Sequence, residues 1–158
     1  SDGEDAVLGD VGEIWVRGPS VARNYLDGAP LDTVEGNWLR TGDIGVFDDE
    51  GRLDIVDRKK DIININGFNV SPVEVEVALA MHPGVSTSVV VGDLEDDREV
   101  VVAHVVPRPG ETVTETELVE HCRSQLSRYK VPAHVFLHRE LPITESGKNV
   151  RRLLGRSA

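Results

Sequence analysis

The segment Thr144-Glu145-Ser146-Gly147-Lys148 places a long cationic side chain directly after a glycine. Glycine lets the backbone come close to a ligand, and lysine delivers a compact point charge. Such a pair could hold two anions together during group transfer. It is not a Walker phosphate loop, which needs a glycine at its head and Ser or Thr after the lysine. Positions 142 and 149 are proline and asparagine, and an exposed turn would use the same residues. Two other segments could contribute chemistry. Asp43, in Thr41-Gly42-Asp43, could accept hydrogen bonds from vicinal hydroxyls such as those of a ribose. A turn aspartate capping its own backbone is the plainer reading. Asp57-Arg58-Lys59-Lys60-Asp61 could contact phosphate through the arginine fork, or could be a solvated linker.

Period-2 and period-3.6 patterns say what must carry these residues. In the first third, Glu13–Arg17 alternates, Trp38–Arg40 gives way to Ile44–Phe47, and an acidic turn leads into Arg52–Val56, where Leu53 and Ile55 share one face. After the charge run, Ile62, Ile63 and Ile65 precede Asn66-Gly67, then Phe68 and Val70. Asn-Gly between β-formers predicts a type I′ hairpin. Ser71-Pro72-Val73-Glu74 opens a helix with a capping box and proline at its first position, and Val73, Val77, Ala80 and Met81 predict its apolar stripe. Valine-rich strands follow at Val85–Gly92 and Val100–Val106. A second capping box, Thr114–Glu117, opens a helix with Leu118, Cys122 and Leu126 on one face, and a last strand covers His134–Leu137. The series strand–strand–helix–strand–strand–helix–strand predicts a small α+β domain over 58–158, preceded by a β-rich part over 1–57.

Composition bounds the function. The 158 residues carry a net charge of −11, which opposes non-specific binding to nucleic acid. An anionic ligand then needs a local basic site, and Arg58–Lys60, Arg128–Lys130 and Lys148–Arg152 are the candidates. No apolar run is long enough to span a bilayer and no leader pattern precedes the first strand. The single cysteine, Cys122, excludes an internal disulfide and suits a reducing cytoplasm. It reads as a small core hydrophobe rather than a nucleophile.

Taken in order, these segments resemble the adenylate-forming superfamily of acyl- and aryl-CoA synthetases, carrier-protein adenylation domains and beetle luciferases. The resemblance is carried by Gly12-Glu13-Ile14-Trp15-Val16-Arg17-Gly18-Pro19, by Asn37 through Gly45, by Gly51-Arg52-Leu53 through Asp61, and by Gly67-Phe68-Asn69-Val70-Ser71-Pro72-Val73-Glu74-Val75-Glu76. Tyr129-Lys130-Val131-Pro132 and Leu141-Pro142 through Lys148 complete it. It covers nearly the whole chain, and the ordered set is far more specific than any member.

The resemblance implies an ATP-dependent acid–CoA ligase that adenylates a carboxylate, a fatty acid by preference, and passes the acyl group to CoA. Lys148 would bridge the carboxylate and ATP. Asp43 would hold the ribose hydroxyls, Arg58 would assist at ribose or phosphate, Lys60 would be a hinge, and Asn66 and Gly67 would line the pantetheine path. ATP, Mg²⁺ and CoA are the implied cosubstrates, and no residue is assigned as a metal ligand. Many members carry Gly-Gly where this chain has Asn66-Gly67, which bears on how closely pantetheine approaches position 66. The phosphate loop and acyl pocket of the large N-terminal domain are not in this sequence, so the chain resembles a C-terminal fragment, inert alone. A carrier-loading adenylation domain or fatty acyl-AMP ligase is the alternative, and a stand-alone, non-catalytic binding module is the alternative of another class.

Overall fold

A computed structural model describes residues 7–22, 24–29, 31, 33–34, 38–142 and 151–154. The chain divides into two compact units, Ser1–Lys60 and Asp61–Ala158. The first is an antiparallel sheet of β1 (Val11–Val16), β2 (Thr33–Val34), β3 (Trp38–Phe47) and β4 (Leu53–Arg58), in which β3 pairs with each of the others. A short 3₁₀ turn, Lys59–Asp61, follows β4.

The pattern Trp38–Arg40 then Ile44–Phe47 predicts two strands separated by Thr-Gly-Asp. The structure instead runs β3 through all of it, as one strand with a bulge. Arg40 faces Trp15 and Ile44 faces Glu13, so three residues of β3 oppose the single residue Ile14. Gly42 takes φ +73°, which glycine adopts at no steric cost. The Thr41 hydroxyl donates to the Ile14 carbonyl (2.8 Å) and accepts from the Asp43 N–H (3.1 Å), replacing ladder bonds that the bulge breaks. Leu53 and Ile55 do share a face, but within this chain that face is exposed rather than half-buried.

The second unit follows the predicted order. The hairpin of β5 (Ile63–Ile65) and β6 (Phe68–Val70) leads into α1 (Pro72–Ala80), the long pair β7 (Val85–Glu95) and β8 (Arg98–Pro107), α2 (Glu115–Gln125) and β9 (His134–Leu137). β7 and β8 are antiparallel, and β9 joins β8 in parallel, giving the order β7-β8-β9. This is an α+β fold. Ser71 and Thr114 cap their helices by accepting the N–H of Glu74 and Glu117.

The valine runs of β7 and β8 are apolar at nearly every position because both faces of this sheet are covered. Val90, Val101, Ala103 and Val105 pack with Ile63, Val70, Leu79, Leu118 and Cys122 on the helix side. Val89, Val91 and Val102 pack with Leu141 on the other, joined by Leu154. Burial pushes the Cys122 thiol up to about 11, as befits a core residue with no nucleophilic role.

One expectation fails here. α1 buries Pro72, Val75, Ala78 and Leu79, whereas Val77 and Met81 are exposed. The helix is apolar on several faces, so periodicity alone could not select the buried one. Leu79→Ala should therefore cost about 2–5 kcal/mol, and Val77→Ala within about 0.5 kcal/mol of zero. Urea denaturation of the two variants checks this, and equal losses would contradict the observed face.

Candidate functional site

The β3 bulge has a consequence for charge placement in the first unit. It brings Asp43 opposite Arg58 in the β3–β4 register, and the Arg58 Nε sits 3.1 Å from the Asp43 Oδ1. Asp43 is about one-quarter exposed and Arg58 mostly exposed, so the pair is presented at the surface. A carboxylate offers about four lone-pair sites. Arg58 thus orients Asp43 while leaving it acceptor capacity for hydroxyl donors. The backbone of Arg58 is fixed in turn, because its N–H donates to the Oδ1 of buried Asp57 at 2.7 Å.

Beside this pair lies an open cleft of about 370 Å³, lined by Glu13, Arg40, Thr41, Arg58, Lys59 and Lys60 among others. Four of these six are cationic, in a chain whose net charge is −11. Glu13 is nearly buried, and its Oε2 accepts from the Lys59 Nζ at 2.7 Å, across 46 positions of sequence. Burial raises the pKa of the Glu13 carboxyl. The Lys59 hydrogen bond and the Lys59 and Arg40 charges outweigh it, holding the group below its ordinary value. Glu13 thus stays ionised and anchors Lys59, one residue before Lys60.

In the second unit, Asn66 and Gly67 form the hairpin tip with φ +52° and +90°, the left-handed pair that a type I′ turn requires. The tip is fixed from two sides. The Asn64 Oδ1 accepts the Gly67 N–H (2.9 Å), and the Asn64 N–H donates to the Glu99 Oε2 on β8 (2.9 Å). Glu99 can lie there because Gly92 has no side chain: a Cβ on it would come 2.5 Å from the Glu99 Oε1. Phe68, also on the hairpin, stacks on Tyr129 with ring centroids 4.9 Å apart. The neighbouring Lys130 Nζ reaches both carboxylate oxygens of Glu74 at 2.6 and 2.7 Å.

Lys148 lies outside the described residues. The chain just beyond it is described, and Arg151 makes a two-pronged contact with Glu76 on α1. Of the residues singled out from sequence, the structure brings Asp43 and Arg58 together, sets Lys60 on the adjoining cleft, and forms the Asn66-Gly67 turn. Sequence reasoning assigned no individual role to Glu13, Glu76 or Glu99, and included Lys59 and Arg151 only as members of basic runs. Their partners are distant in sequence, and no periodicity or short motif reports such a pairing.

Comparison with known proteins adds to this geometry. Residues 74–148 match the family model of the AMP-binding enzyme C-terminal domain. A long-chain-fatty-acid–CoA ligase from Yersinia pestis is 44% identical over 155 residues, 97% of this chain and 28% of the relative. An oxalate–CoA ligase from Arabidopsis thaliana is 41% identical over 90% of this chain and 28% of its own length. The o-succinylbenzoate coenzyme A synthetase of Bacillus subtilis, solved with ATP and magnesium, superposes with a TM-score of 0.82 at 36% identity, over 98% of this chain and 32% of that one. The chain therefore spans less than a third of the length of these relatives.

The electrostatics of Glu13 have a measurable consequence. A carboxylate whose folded pKa lies below its unfolded value adds stability above the unfolded value and loses it as pH falls through the folded one. The Glu13 carboxyl should titrate below 4.5 by carbon-13 NMR, and Lys59→Met should raise its midpoint. Stability should decline as pH falls below about 4.5, less steeply in Glu13→Gln than in the parent. A midpoint at or above the ordinary value would contradict the Lys59–Glu13 pairing.

Proposed function

Because this chain belongs to the adenylate-forming family of acid–CoA ligases and carries its AMP-binding enzyme C-terminal domain, we propose that it works as the C-terminal part of an ATP-dependent acid–CoA ligase. The observation that carries this reading is the Asp43–Arg58 pair beside a cationic cleft that includes Lys60. Asp43 accepts the vicinal hydroxyls of the ATP ribose, and Arg58 holds that carboxylate in place and faces ribose or phosphate. Mg²⁺ enters with the ATP phosphates. Among the described residues no three His, Cys, Asp or Glu side chains converge to hold a metal.

The reaction has two halves. In the first, a substrate carboxylate oxygen attacks the α-phosphorus of ATP, the bond to the β-phosphate oxygen breaks, and pyrophosphate leaves. Two anions must meet, so a lysine between them offsets their repulsion and aligns them. Lys148 takes that role. In the second, a thiol sulfur attacks the acyl carbon, AMP leaves, and the thiol proton passes to solvent. The thiol needs the place that Lys148 occupied, so the second unit must turn relative to the first. Lys60 stands at the boundary between the two compact units, where a few backbone dihedrals can absorb the rotation. After it, the Asn66-Gly67 turn borders the path of the pantetheine arm.

A fatty acid is the proposed carboxylate, on the strength of the Yersinia relative. The oxalate ligase matches this chain nearly as well, which fits an acyl pocket lying outside it. The chain alone is catalytically inert, and its lone buried thiol suits a reducing compartment such as the cytoplasm. No helix among the described residues is long and apolar enough to cross a membrane.

In the full-length enzyme, Lys148→Ala should slow adenylation by on the order of 10²–10³-fold while sparing thioester formation from preformed acyl-adenylate. Lys60→Pro should do the reverse by fixing φ at the hinge. Pyrophosphate release and CoA-dependent consumption of acyl-adenylate, measured separately, check both. Equal loss of the two halves in Lys148→Ala would sink its assigned role.

A further inference from the structure

Arg151 follows Lys148 by three positions and is tied to two elements of the second unit at once. Its Nη2 lies 2.9 Å from both the Glu76 Oε1 and Oε2, and its Nη1 lies 3.5 Å from the Asp61 Oδ2. These side chains are only 20–27% exposed, so the contacts are shielded from the screening that weakens surface ion pairs. Glu76 is itself held. Its Oε1 accepts the Val90 N–H at 2.8 Å, on β7, which is an edge strand of its sheet and presents unpaired backbone donors. Downstream, the Leu154 N–H donates to the Arg151 carbonyl at 2.9 Å, and Leu154 packs on the Val89–Val91–Val102 core cluster.

We infer that the Glu76–Arg151–Asp61 ion network is a positioning device for Lys148, because it ties Arg151, three positions further along the chain, to α1, through Glu76 to the edge of β7, and to the residue immediately after the hinge. The inference rests on the proposed role of Lys148. A lysine on a loop helps adenylation only if its ammonium stays at one place, and a long four-carbon stem makes that costly in entropy. Holding the backbone a few residues away cuts that cost. Arginine suits the task better than lysine would, because its planar fork sends Nη2 to Glu76 and Nη1 to Asp61 at the same time. Asp61 adds a link to the hinge: whatever moves Asp61 moves the anchor of Lys148. Arg151 touches no substrate in this scheme, and its effect on the reaction passes through Lys148.

The test uses the full-length enzyme with Arg151→Lys and Glu76→Gln, assayed beside Lys148→Ala. Glu76→Gln keeps an acceptor for the Val90 N–H while removing the charge that Arg151 needs. Both variants should lose about 10–100-fold in the kcat of adenylation, as expected for a catalytic group displaced by about 1 Å. Thioester formation from supplied acyl-adenylate should change by less than about threefold, within the small uniform loss that a few tenths of a kcal/mol produce. Circular dichroism and thermal melts monitor folding, since a merely structural role would lower the melting temperature and depress both half-reactions together. If Lys148→Ala impairs adenylation but Arg151→Lys and Glu76→Gln spare it, or impair both halves equally, the positioning inference alone is overturned. If Lys148→Ala spares adenylation, the reading beneath it fails, and the inference falls with it.

Discussion

The second unit depends on burying both faces of the β7–β8 pair. A sheet covered on one side alternates apolar and polar residues, whereas one covered on both is apolar throughout. Val89, Val90 and Val91 are all buried, as are Val101, Val102 and Ala103, so each face needs its own cover. The helices and the β5–β6 hairpin supply one, and Leu141 with Leu154 supplies part of the other. The sheet is thereby a rigid slab to which functional segments attach at its margins. At the 20–33 cal/mol per Å² typical of buried apolar surface, clusters of this size dominate the energetics of a small domain.

What attaches to the slab is held by polar contacts at strand edges and loop ends. Glu99 on β8 takes the Asn64 N–H and steadies the Asn66-Gly67 turn. Glu76 takes the Val90 N–H at the edge of β7 and holds Arg151. In both cases a glutamate satisfies a backbone donor, and Glu76 also binds Arg151, so a residue that serves stability serves placement as well. In the first unit the bulge at Thr41-Gly42-Asp43 does comparable work. By inserting residues into β3 it breaks the alternation and brings Asp43 into register with Arg58, as bulges near ligand sites commonly re-aim a side chain.

Charge distribution follows the same economy. The chain is acidic overall, yet Arg40, Arg58, Lys59 and Lys60 gather at one cleft. Buried Asp57 and nearly buried Glu13 fix the backbone of Arg58 and the side chain of Lys59 from below. The remaining cations can then face a phosphate-bearing ligand without the surface as a whole attracting polyanions.

Much of this was legible in the sequence. The Asn66-Gly67 hairpin, both capping boxes, the order of the second unit and the buried, inert Cys122 all rest on local rules: left-handed φ at a turn, side-chain oxygens on orphan helix N–H groups, apolar spacing at 3.6. Asp43, Arg58 and Lys60 are singled out only by an ordered set of motifs, each weak alone. Three things were decided only by tertiary structure. α1 is apolar on several faces, so which of them is buried depended on where β7 and α2 lie. Thr-Gly-Asp reads as a break between strands, and only pairing with β1 and β4 makes it a bulge within one. The pairings Glu13–Lys59, Glu99–Asn64 and Glu76–Arg151 join residues 46, 35 and 75 positions apart. A carboxylate's partner at such range is set by the path of the folded chain, which local spacing does not encode.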